Sequence, residues 1–388
     1  MTVAPSQRAS ANAEASEFSR AVAHRSAEML DLTINNPRAV GLGPSADEVR
    51  SVLARIDGAP CDAAPMGMQS ARIAVAKHLG LCRADAERIM LTASTSEAYA
   101  FLFKLLADPG DEILVPSPSY PLFDYLARYE GLRAVPYPLV YDGLWHVDVA
   151  ALKARVSSLT RAVVVVSPNN PTGSLLSVHD LHEIDALNLP VLADEVFAEY
   201  ILSPRDQACT DVLQHPTCSP WFVMGGVSKS LGLPEWKLGW TVLHGGQAAS
   251  NEVLWDALET IADTYLSVSG TAQKGLATWL GLAPRIQADI RDRLRENLCA
   301  IDSIFVGSSV SRLHVEAGWF CVLRLPDIQD DETWAMSLLH EAQVLVQPGY
   351  FYELGPAAHV VLSLLTPPKV LREGLRRLLA HVHTVSQR

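Results

Sequence analysis

Two lysines, Lys229 and Lys237, stand eight residues apart in the segment "GGVSKSLGLPEWKLGW" at 225–240. Their neighbours are largely apolar and include three leucines and two tryptophans, whereas a solvated surface normally mixes its lysines with acidic and other polar residues. A lysine among apolar groups is costly unless it is paired or deprotonated, and a lowered pKa is what an amine needs to form an imine. From this segment alone, an imine-forming lysine and two ordinary surface lysines are both open.

Other polar side chains follow apolar runs of strand length. Asp194 ends the run "PVLAD". Asn169 and Asn170 stand in the turn "SPNNPTG" after the run "AVVVV", where we expect both amides to face a ligand above the sheet. A Ser-Thr-Ser sequence at 94–96 opens a helical pattern, where free backbone N–H groups and hydroxyls can bind an anion. An amine, a carboxylate, an amide and a phosphate-sized anion site are what a pyridoxal phosphate enzyme needs to hold its cofactor. Taken singly, Asp194 is also explained as a strand-end cap, and the 94–96 run as an ordinary helix N-cap.

The elements that position these residues lie between about residue 45 and residue 280, where patterns of helical period alternate with short, fully apolar runs. We predict strands at 112–116, 161–167, 190–195, 221–226 and 239–245, and helices at 96–107 and 121–131. Fully apolar strands separated by helices indicate a parallel sheet covered on both faces. Ligands of such sheets bind where the strands end at their carboxyl edge.

From about residue 285 onward the pattern changes. A long charged helix at 284–305 precedes short strands and further helices, which indicates a smaller α+β domain. We therefore divide the chain into 1–44, an N-terminal arm and part of the small domain, 45–280, the large cofactor-binding domain, and 281–388, the small C-terminal domain.

The composition is that of a globular protein of more than one domain, since 49% of its 388 residues are apolar and 19% are charged. The net charge of −12 and the lack of a basic run argue against nucleic acid or an anionic membrane as partner, and no apolar run is long enough to span a bilayer. The first residues lack the apolar core of a secretory signal, and the six cysteines have no regular spacing, so we expect a cytoplasmic protein with reduced thiols. His179 and His182 have the spacing of metal ligands on a helix but no evident further ligand, so we expect no metal.

Over nearly its full length the chain resembles the fold-type I pyridoxal phosphate enzymes of the class I/II aminotransferase family. The matching segments are "LTASTSEA", "PGDEILVPSPSYP", "SPNNPTG", "ADEVFAEY", "SKSLGLPEWKLGW" and "VLVQPGYFY". The resemblance implies an α/β fold with a mostly parallel, seven-stranded sheet in the large domain and a smaller α+β domain. It also implies a homodimer that transfers an amino group between an amino acid or amine and a 2-oxo acid.

The same resemblance implies a role for each site residue. Lys229 forms the internal aldimine with the cofactor and then moves a proton between the substrate Cα and the cofactor's C4′. Asp194 pairs with the pyridinium nitrogen, Asn170 donates a hydrogen bond to the ring O3′, and Tyr120 stacks on the ring and borders the substrate. The residues implied to hold the phosphate are Ser94, Thr95, Ser96, Ser228, Lys237 and, in the segment that reaches the partner's phosphate, Ser267.

Four positions depart from the family pattern. Lys237 stands in place of an arginine that binds the phosphate with two hydrogen bonds, and a lysine keeps the charge but is a single point donor. Phe197 borders the cofactor in place of a tyrosine that donates to O3′, and Cys61 stands near the place of a tyrosine that reaches the partner's phosphate. Val361, in "HVVLSLLTP", replaces the arginine that binds the substrate α-carboxylate.

Without that arginine, the carboxylate of an ordinary substrate lacks its cation. The segment "TINNPRAVG" lies over the active site by the same resemblance. It offers Arg38 as a replacement clamp and Asn35 and Asn36 as donors to a carboxylate or an amide, with a solvated Arg38 as the alternative. We therefore predict weak activity on ordinary α-amino acids and better activity on a larger or carboxyl-modified amine.

Two other functional classes are open. A lyase, cyclase or oxidase on the same cofactor would be compatible with the altered contacts. A non-catalytic sensor of this fold would need an N-terminal DNA-binding module, which the short N-terminal arm does not supply.

Overall fold

The computed structural model describes residues 6–9, 16–24, 28–60 and 63–387, so Cys61 lies outside the described residues. The strands are, in chain order, β1 (Leu30–Asp31), β2 (Ile89–Thr92), β3 (Glu112–Ser117), β4 (Arg133–Tyr141), β5 (Trp145–Val147), β6 (Thr160–Val166), β7 (Val191–Asp194), β8 (Pro220–Gly226), β9 (Gly239–Gly245), β10 (Ser311–Arg312), β11 (Phe320–Arg324), β12 (Val344–Leu345), β13 (Gln347–Pro348) and β14 (His359–Ser363). The α-helices are α1 (Glu17–Ala23), α2 (Ala46–Arg55), α3 (Gln69–His78), α4 (Thr95–Leu106), α5 (Phe123–Tyr129), α6 (Val149–Arg155), α7 (Val178–Asp185), α8 (Val227–Ser230), α9 (Ala248–Tyr265), α10 (Gly270–Gly281), α11 (Ala283–Phe305), α12 (Asp331–Ser337) and α13 (Pro368–Ser386). Within the described residues, none of these helices has the length and apolarity that a bilayer crossing requires.

The largest sheet has eight strands in the order β2-β9-β8-β7-β6-β3-β4-β5. The five strands from β8 to β4 are parallel, whereas β9 runs antiparallel to both β8 and β2, and β5 antiparallel to β4. The predicted α/β class and mostly parallel sheet are confirmed, but the predicted count of seven strands is one too low. The additional strand β5 is three residues long and pairs only with the last residues of β4, and so short a run does not stand out in a sequence.

Helices cover both faces of this sheet, which explains the apolar sequences of its central strands. All four residues of β7 are buried, and so are five of the seven residues of β6. One face packs against α4, whose Tyr99, Leu102 and Phe103 are buried in the same core as Leu258 of α9. The sheet is therefore a rigid base, and its carboxyl edge holds fixed whatever side chains stand there.

A second, antiparallel sheet lies later in the chain, with its four strands in the order β10-β11-β14-β13. The long helices α11 and α13 pack against each other, and α11 also contacts β10. β1 pairs in parallel with β12, so the N-terminal residues 30–31 join the C-terminal part of the chain rather than the large sheet. The smaller α+β layer expected after residue 285 thus includes a strand from the beginning of the chain.

The turn "SPNNPTG" after β6 contacts the segment between β10 and β11 of the second sheet. The Gly173 carbonyl accepts hydrogen bonds from Glu316 N–H at 3.1 Å and Ala317 N–H at 2.9 Å. Gly173 has φ +68°, and a Cβ at this position would lie 2.6 Å from the Ala317 carbonyl oxygen. Both the backbone conformation and the close approach require glycine here.

Candidate active site

A cavity of about 260 Å³ lies where β6, β7 and β8 end at the carboxyl edge of the large sheet. Its lining includes the last residues of these three strands, Val166, Asp194 and Gly226. The predicted site residues that line it are Asn35, Ser94, Thr95, Ser96, Tyr120, Asn170, Asp194, Phe197, Ser228 and Lys229. Residues from widely separated parts of the sequence therefore meet at one place.

Lys229 stands in the short helix α8, directly after β8. Its Nζ lies 6.0 Å from the centre of the Phe197 ring and 5.5 Å from that of Trp319, and it makes no hydrogen bond or ion pair with another described residue. Burial lowers the pKa of Lys229, and the nearby charge of Asp194 opposes this shift in part. Tyr200 fixes the backbone of the turn by donating its hydroxyl to the Lys229 carbonyl at 2.8 Å.

Asp194 is the last residue of β7 and is 8% exposed. Its carboxylate accepts hydrogen bonds from the Tyr99 hydroxyl at 3.1 Å and from Val196 N–H at 3.2 Å. Burial raises the pKa of Asp194 to about 6, although these two hydrogen bonds and the charge of Lys229 act in the opposite direction. Sequence reasoning missed Tyr99, whose position in the first turns of α4 was the available signal because a helical side chain points back towards the N-terminus.

The N-terminus of α4 presents free backbone N–H groups to the cavity. Ser94 is the N-cap, and its Oγ accepts a hydrogen bond from Glu97 N–H at 3.2 Å. Thr95 and Ser96 follow in the first turn and line the cavity together with Ser228, which precedes Lys229. A helix N-terminus with hydroxyls on both sides is suited to bind an anion such as a phosphate.

The two asparagines of the "SPNNPTG" turn have different roles. Asn170 lines the cavity, and its Oδ1 is buried without a hydrogen-bond partner in the described part of the chain. Asn169 is buried, donates to the Pro118 carbonyl at 3.0 Å and to Thr172 Oγ1 at 2.9 Å, and accepts from Ser119 at 2.6 Å. The expectation that both amides face the ligand is therefore wrong for Asn169, which holds the turn together.

Two of the residues expected at the phosphate do not line the cavity of this chain. Lys237 is exposed, has a left-handed backbone with φ +52°, and directly precedes Leu238, which lines the cavity. Ser267 is also exposed, and its Oγ donates to the Glu97 carboxylate at 2.7 Å. Glu97 stands in the first turn of α4, so Ser267 lies next to the N-terminus of this helix but outside the cavity.

Arg38 does not line the cavity, where a replacement carboxylate clamp would have to lie; the alternative was a solvated Arg38. Its guanidinium forms an ion pair with Glu235, and neither side chain lines the cavity. The Oδ1 of Asn36 accepts a hydrogen bond from Arg38 N–H at 3.1 Å, so its amide caps the local turn, while Asn35 lines the cavity. Val361 is fully buried in β14, between β11 and β13, and is not a lining residue either.

The second sheet and the turn after β13 supply lining residues that the sequence did not reveal. Phe320 of β11, Gln347 of β13 and Tyr352 close one side of the cavity. Two of them, Gln347 and Tyr352, belong to the segment "VLVQPGYFY", which resembles the family but whose residues had no predicted role in the site. Their place in the site depends on the docking of two sheets, which a local sequence pattern does not specify.

The chain was compared with protein families and with known proteins. The family described as "Aminotransferase class I and II" matches residues 18–378. The chain belongs to this family. It is a pyridoxal phosphate-dependent aminotransferase, as the sequence motifs indicated. Tyrosine aminotransferase of Homo sapiens is 29% identical over 372 residues, which cover 90% of this chain and 80% of that protein.

Other relatives of this aminotransferase differ in their named substrates. Nicotianamine aminotransferase B of Hordeum vulgare is 28% identical over 342 residues, a match that covers 82% of this chain and 60% of that protein's length. Among solved structures, tyrosine aminotransferase of Leishmania infantum has a TM-score of 0.85 and 22% identity, with 99% of each chain covered. Alanine aminotransferase of Pyrococcus furiosus has a TM-score of 0.82 and 23% identity, with 92% of each chain covered. The structural similarity shows that the fold is shared.

The residues around the cavity fit the cofactor of this family. The Asn170 amide is buried at its Oδ1 and makes no side-chain hydrogen bond to another described residue, so by turning over it can present its NH2 group as a donor to a bound ligand. Lys229 presents an amine of lowered pKa, Asp194 a buried carboxylate, and the α4 N-terminus an anion site. These are the three functional groups that pyridoxal phosphate requires.

Proposed function

We propose that this aminotransferase transfers an amino group between an amino acid or amine and a 2-oxo acid, with Lys229 holding the cofactor and moving the proton. The observation that supports this proposal is the meeting of Lys229, Asp194 and Asn170 in one cavity next to a helix N-terminus. Bound pyridoxal phosphate supplies an electron-withdrawing ring that stabilises negative charge at the substrate Cα. The protein's residues must place that Cα and exchange its proton.

Lys229 is suited to be the proton carrier. Because burial lowers the pKa of its amine, a larger fraction is neutral near pH 7 and can accept a proton from the substrate Cα. The rings of Phe197 and Trp319 flank the amine and shield it from water. The hydroxyl of Tyr200 holds the Lys229 backbone, so that the movement of the side chain is confined to its own rotamers.

Asp194 is suited to pair with the ring nitrogen of the cofactor. The pKa of about 6 leaves its carboxylate largely ionised near pH 7, and an ionised carboxylate keeps a facing pyridinium nitrogen protonated. Tyr99 and Val196 donate hydrogen bonds that orient the carboxylate. Burial and the charge of Asp194 raise the pKa of Tyr99 well above its usual value, so its hydroxyl remains a donor.

The other lining residues are assigned by their positions. Asn170 would contact the ring O3′, and Tyr120 and Phe197 would border the ring. Phe197 offers O3′ no hydroxyl. Ser94, Thr95, Ser96 and Ser228 would hold the phosphate, with Lys237 contributing charge from outside the cavity.

We also propose that the enzyme is a cytoplasmic homodimer with the three-part organisation given by the boundaries 1–44, 45–280 and 281–388. In support of a dimer, the segment around Ser267 is exposed beside the N-terminus of α4, where it is accessible to a second subunit. In support of the division, the large sheet is built from strands between residues 89 and 245, and the second sheet from strands between 311 and 363.

The transfer is tested by mixing the cofactor-loaded enzyme with single amino acids and amines in the absence of a 2-oxo acid. The cofactor's absorbance should change to that of its aminated form, and a 2-oxo acid added afterwards should restore the original spectrum. A spectrum that does not change with any donor, although Lys229 carries the cofactor, would contradict the proposal.

A further inference from the structure

One wall of the cavity comes from the C-terminal part of the chain and carries two polar side chains, Gln347 and Tyr352. The Tyr352 hydroxyl donates a hydrogen bond of 2.5 Å to Gln347 Oε1. Within the described residues, neither side chain makes another hydrogen bond. The remaining hydrogen-bonding capacity of this pair is therefore available to a ligand in the cavity.

The Gln347–Tyr352 pair offers one donor and one acceptor. In the placement given by the structure, Gln347 Nε2 donates and the phenolic oxygen of Tyr352 accepts. If the amide is turned over, Nε2 donates to the phenol, whose O–H then donates to the ligand while Oε1 accepts. Both placements offer the ligand one donor and one acceptor. This requires a protonated Tyr352 hydroxyl, and burial and the neighbouring Tyr120 raise the pKa of Tyr352 and so keep it protonated.

Among the described residues that line the cavity, no cationic side chain other than Lys229 accompanies this pair. The charged side chains among the described lining residues are Lys229 and Asp194, and the proposed function assigns both to the cofactor. Arg38 is held in an ion pair outside the cavity, and Val361, the partner of Gln347 across β13 and β14, is apolar and buried. A carboxylate at this wall would lack a counter-charge. One of its two oxygens would also face the acceptor atom of the Gln347–Tyr352 pair, and two acceptors repel each other.

We propose that Gln347 and Tyr352 recognise a carboxamide on the substrate, so that the amino donor is an amino acid amide or a closely related carboxyl-modified amine. A primary carboxamide presents a carbonyl acceptor beside N–H donors, which complements the donor and acceptor of the pair. It also carries no charge that would have to be buried without a partner. This inference rests on the proposed function, because it names the substrate class of the same site.

The test uses two ligands of nearly equal shape, propanamide and propanoate, titrated by calorimetry into the enzyme with pyridoxal phosphate bound. Neither ligand has an amine, so binding is measured without turnover. The variants are Gln347→Leu and Tyr352→Phe, which remove one polar group each. Tyr350→Phe is the matched control, since Tyr350 is exposed, donates to Glu332 and does not line the cavity.

We expect the wild-type enzyme to bind propanamide at least roughly tenfold more tightly than propanoate. In each cavity variant this ratio of affinities should fall by about tenfold, because one hydrogen bond in a closed site contributes about that much. Tyr350→Phe should retain the wild-type preference. Gln347→Arg should reverse it in favour of propanoate, because it supplies the missing cation. In turnover, L-alaninamide should show a lower KM than L-alanine, and Gln347→Leu should raise KM for the amide more than it lowers kcat.

A wild-type preference for propanoate, or a preference for propanamide that both cavity variants retain, would overturn the assignment of Gln347 and Tyr352. Failure of the proposed function has a different signature. It would appear as a cofactor that is not attached to Lys229 or a spectrum that no amine changes. The calorimetric preference is read independently of both.

Discussion

At the scale of single residues, the role proposed for Asp194 is to let a bound cofactor act as an electron sink. We expect Asp194→Ala to lose several kcal/mol of transition-state stabilisation, because the charge proposed to face the ring nitrogen is removed. This loss corresponds to a kcat that is lower by roughly a thousandfold or more. Steady-state kinetics at saturating cofactor measure this loss. Asp194→Asn should be nearly as slow, since its amide oxygen can still accept from Val196 N–H and its NH2 group can donate to the Tyr99 oxygen, but the charge is lost. Near-normal turnover of Asp194→Ala would refute the role.

Glu195, next to Asp194, gives a prediction about pH and stability. Burial raises the pKa of Glu195 to about 8, together with the negative charges of Asp211, Glu199 and Asp194. The hydrogen bond of 3.1 Å from Val212 N–H to the Glu195 carboxylate acts in the opposite direction. A pKa that is raised in the folded state means that the folded protein binds more protons, so this contribution to stability is present below about pH 4.5 and is lost as the pH rises to about 8.

The substitution Glu195→Gln removes this titration and keeps an acceptor for Val212. We expect it to raise the free energy of unfolding at pH 8 by about 4 kcal/mol relative to wild type, and to change it little at pH 4.5. Urea unfolding at the two pH values measures the difference. Equal differences at both pH values would show that Glu195 does not titrate as described.

The chemistry at this scale was largely predictable where it depends on residue type and local order. Lys229, Asp194, Asn170 and the helix start at Ser94 were found because each follows an apolar run, and all of them line the cavity. The ion pair of Arg38 could not be predicted, because its partner Glu235 lies 197 positions away along the chain. The Gln347–Tyr352 pair was missed for a similar reason, since its role depends on the docking of the second sheet.

At the scale of elements, the turn after β6 connects the two sheets through hydrogen bonds to the Gly173 carbonyl. We expect Gly173→Ala to destabilise the protein by about 2–4 kcal/mol, because a Cβ would meet the Ala317 carbonyl oxygen at 2.6 Å in addition to the strain of φ +68°. Chemical denaturation measures the loss. Gly110→Ala is the control, with φ +99° and nothing within 4 Å of a Cβ, and should cost only about 1 kcal/mol. Equal losses in the two variants would contradict the role of the contact at Gly173.

The predicted elements agree closely with the structure because their sequences are consistent at the local level. The predicted strand at 161–167 and helix at 96–107 are observed as Thr160–Val166 and Thr95–Leu106, each shifted by one residue. The strand β5 was missed because three residues at a sheet edge leave no period to detect. The pairing of β1 with β12 joins residues more than three hundred positions apart, and no sequence pattern indicates it.

At the scale of the whole molecule, we expect two chains in the functional unit. Val253, Tyr265 and Leu266, in and just after α9, expose 70%, 50% and 47% of their surface, and the last two directly precede Ser267. Apolar surface of this kind is typical of a subunit interface. Light scattering of the cofactor-loaded enzyme should therefore give the mass of two 42.1 kDa chains. The mass of one chain, with the cofactor still bound, would contradict the dimer.

The central claim is that Lys229 carries the cofactor, and peptide mapping after borohydride reduction tests it most directly. Reduction fixes the cofactor to the amine that holds it, so digestion and mass spectrometry should place the added mass on the peptide that contains Lys229. The nearby Lys237 provides an internal control, because it belongs to the same segment but is exposed and does not line the cavity. The account predicts label on Lys229 and no label in a Lys229→Ala variant. Label on Lys237, or undiminished label in Lys229→Ala, would contradict it.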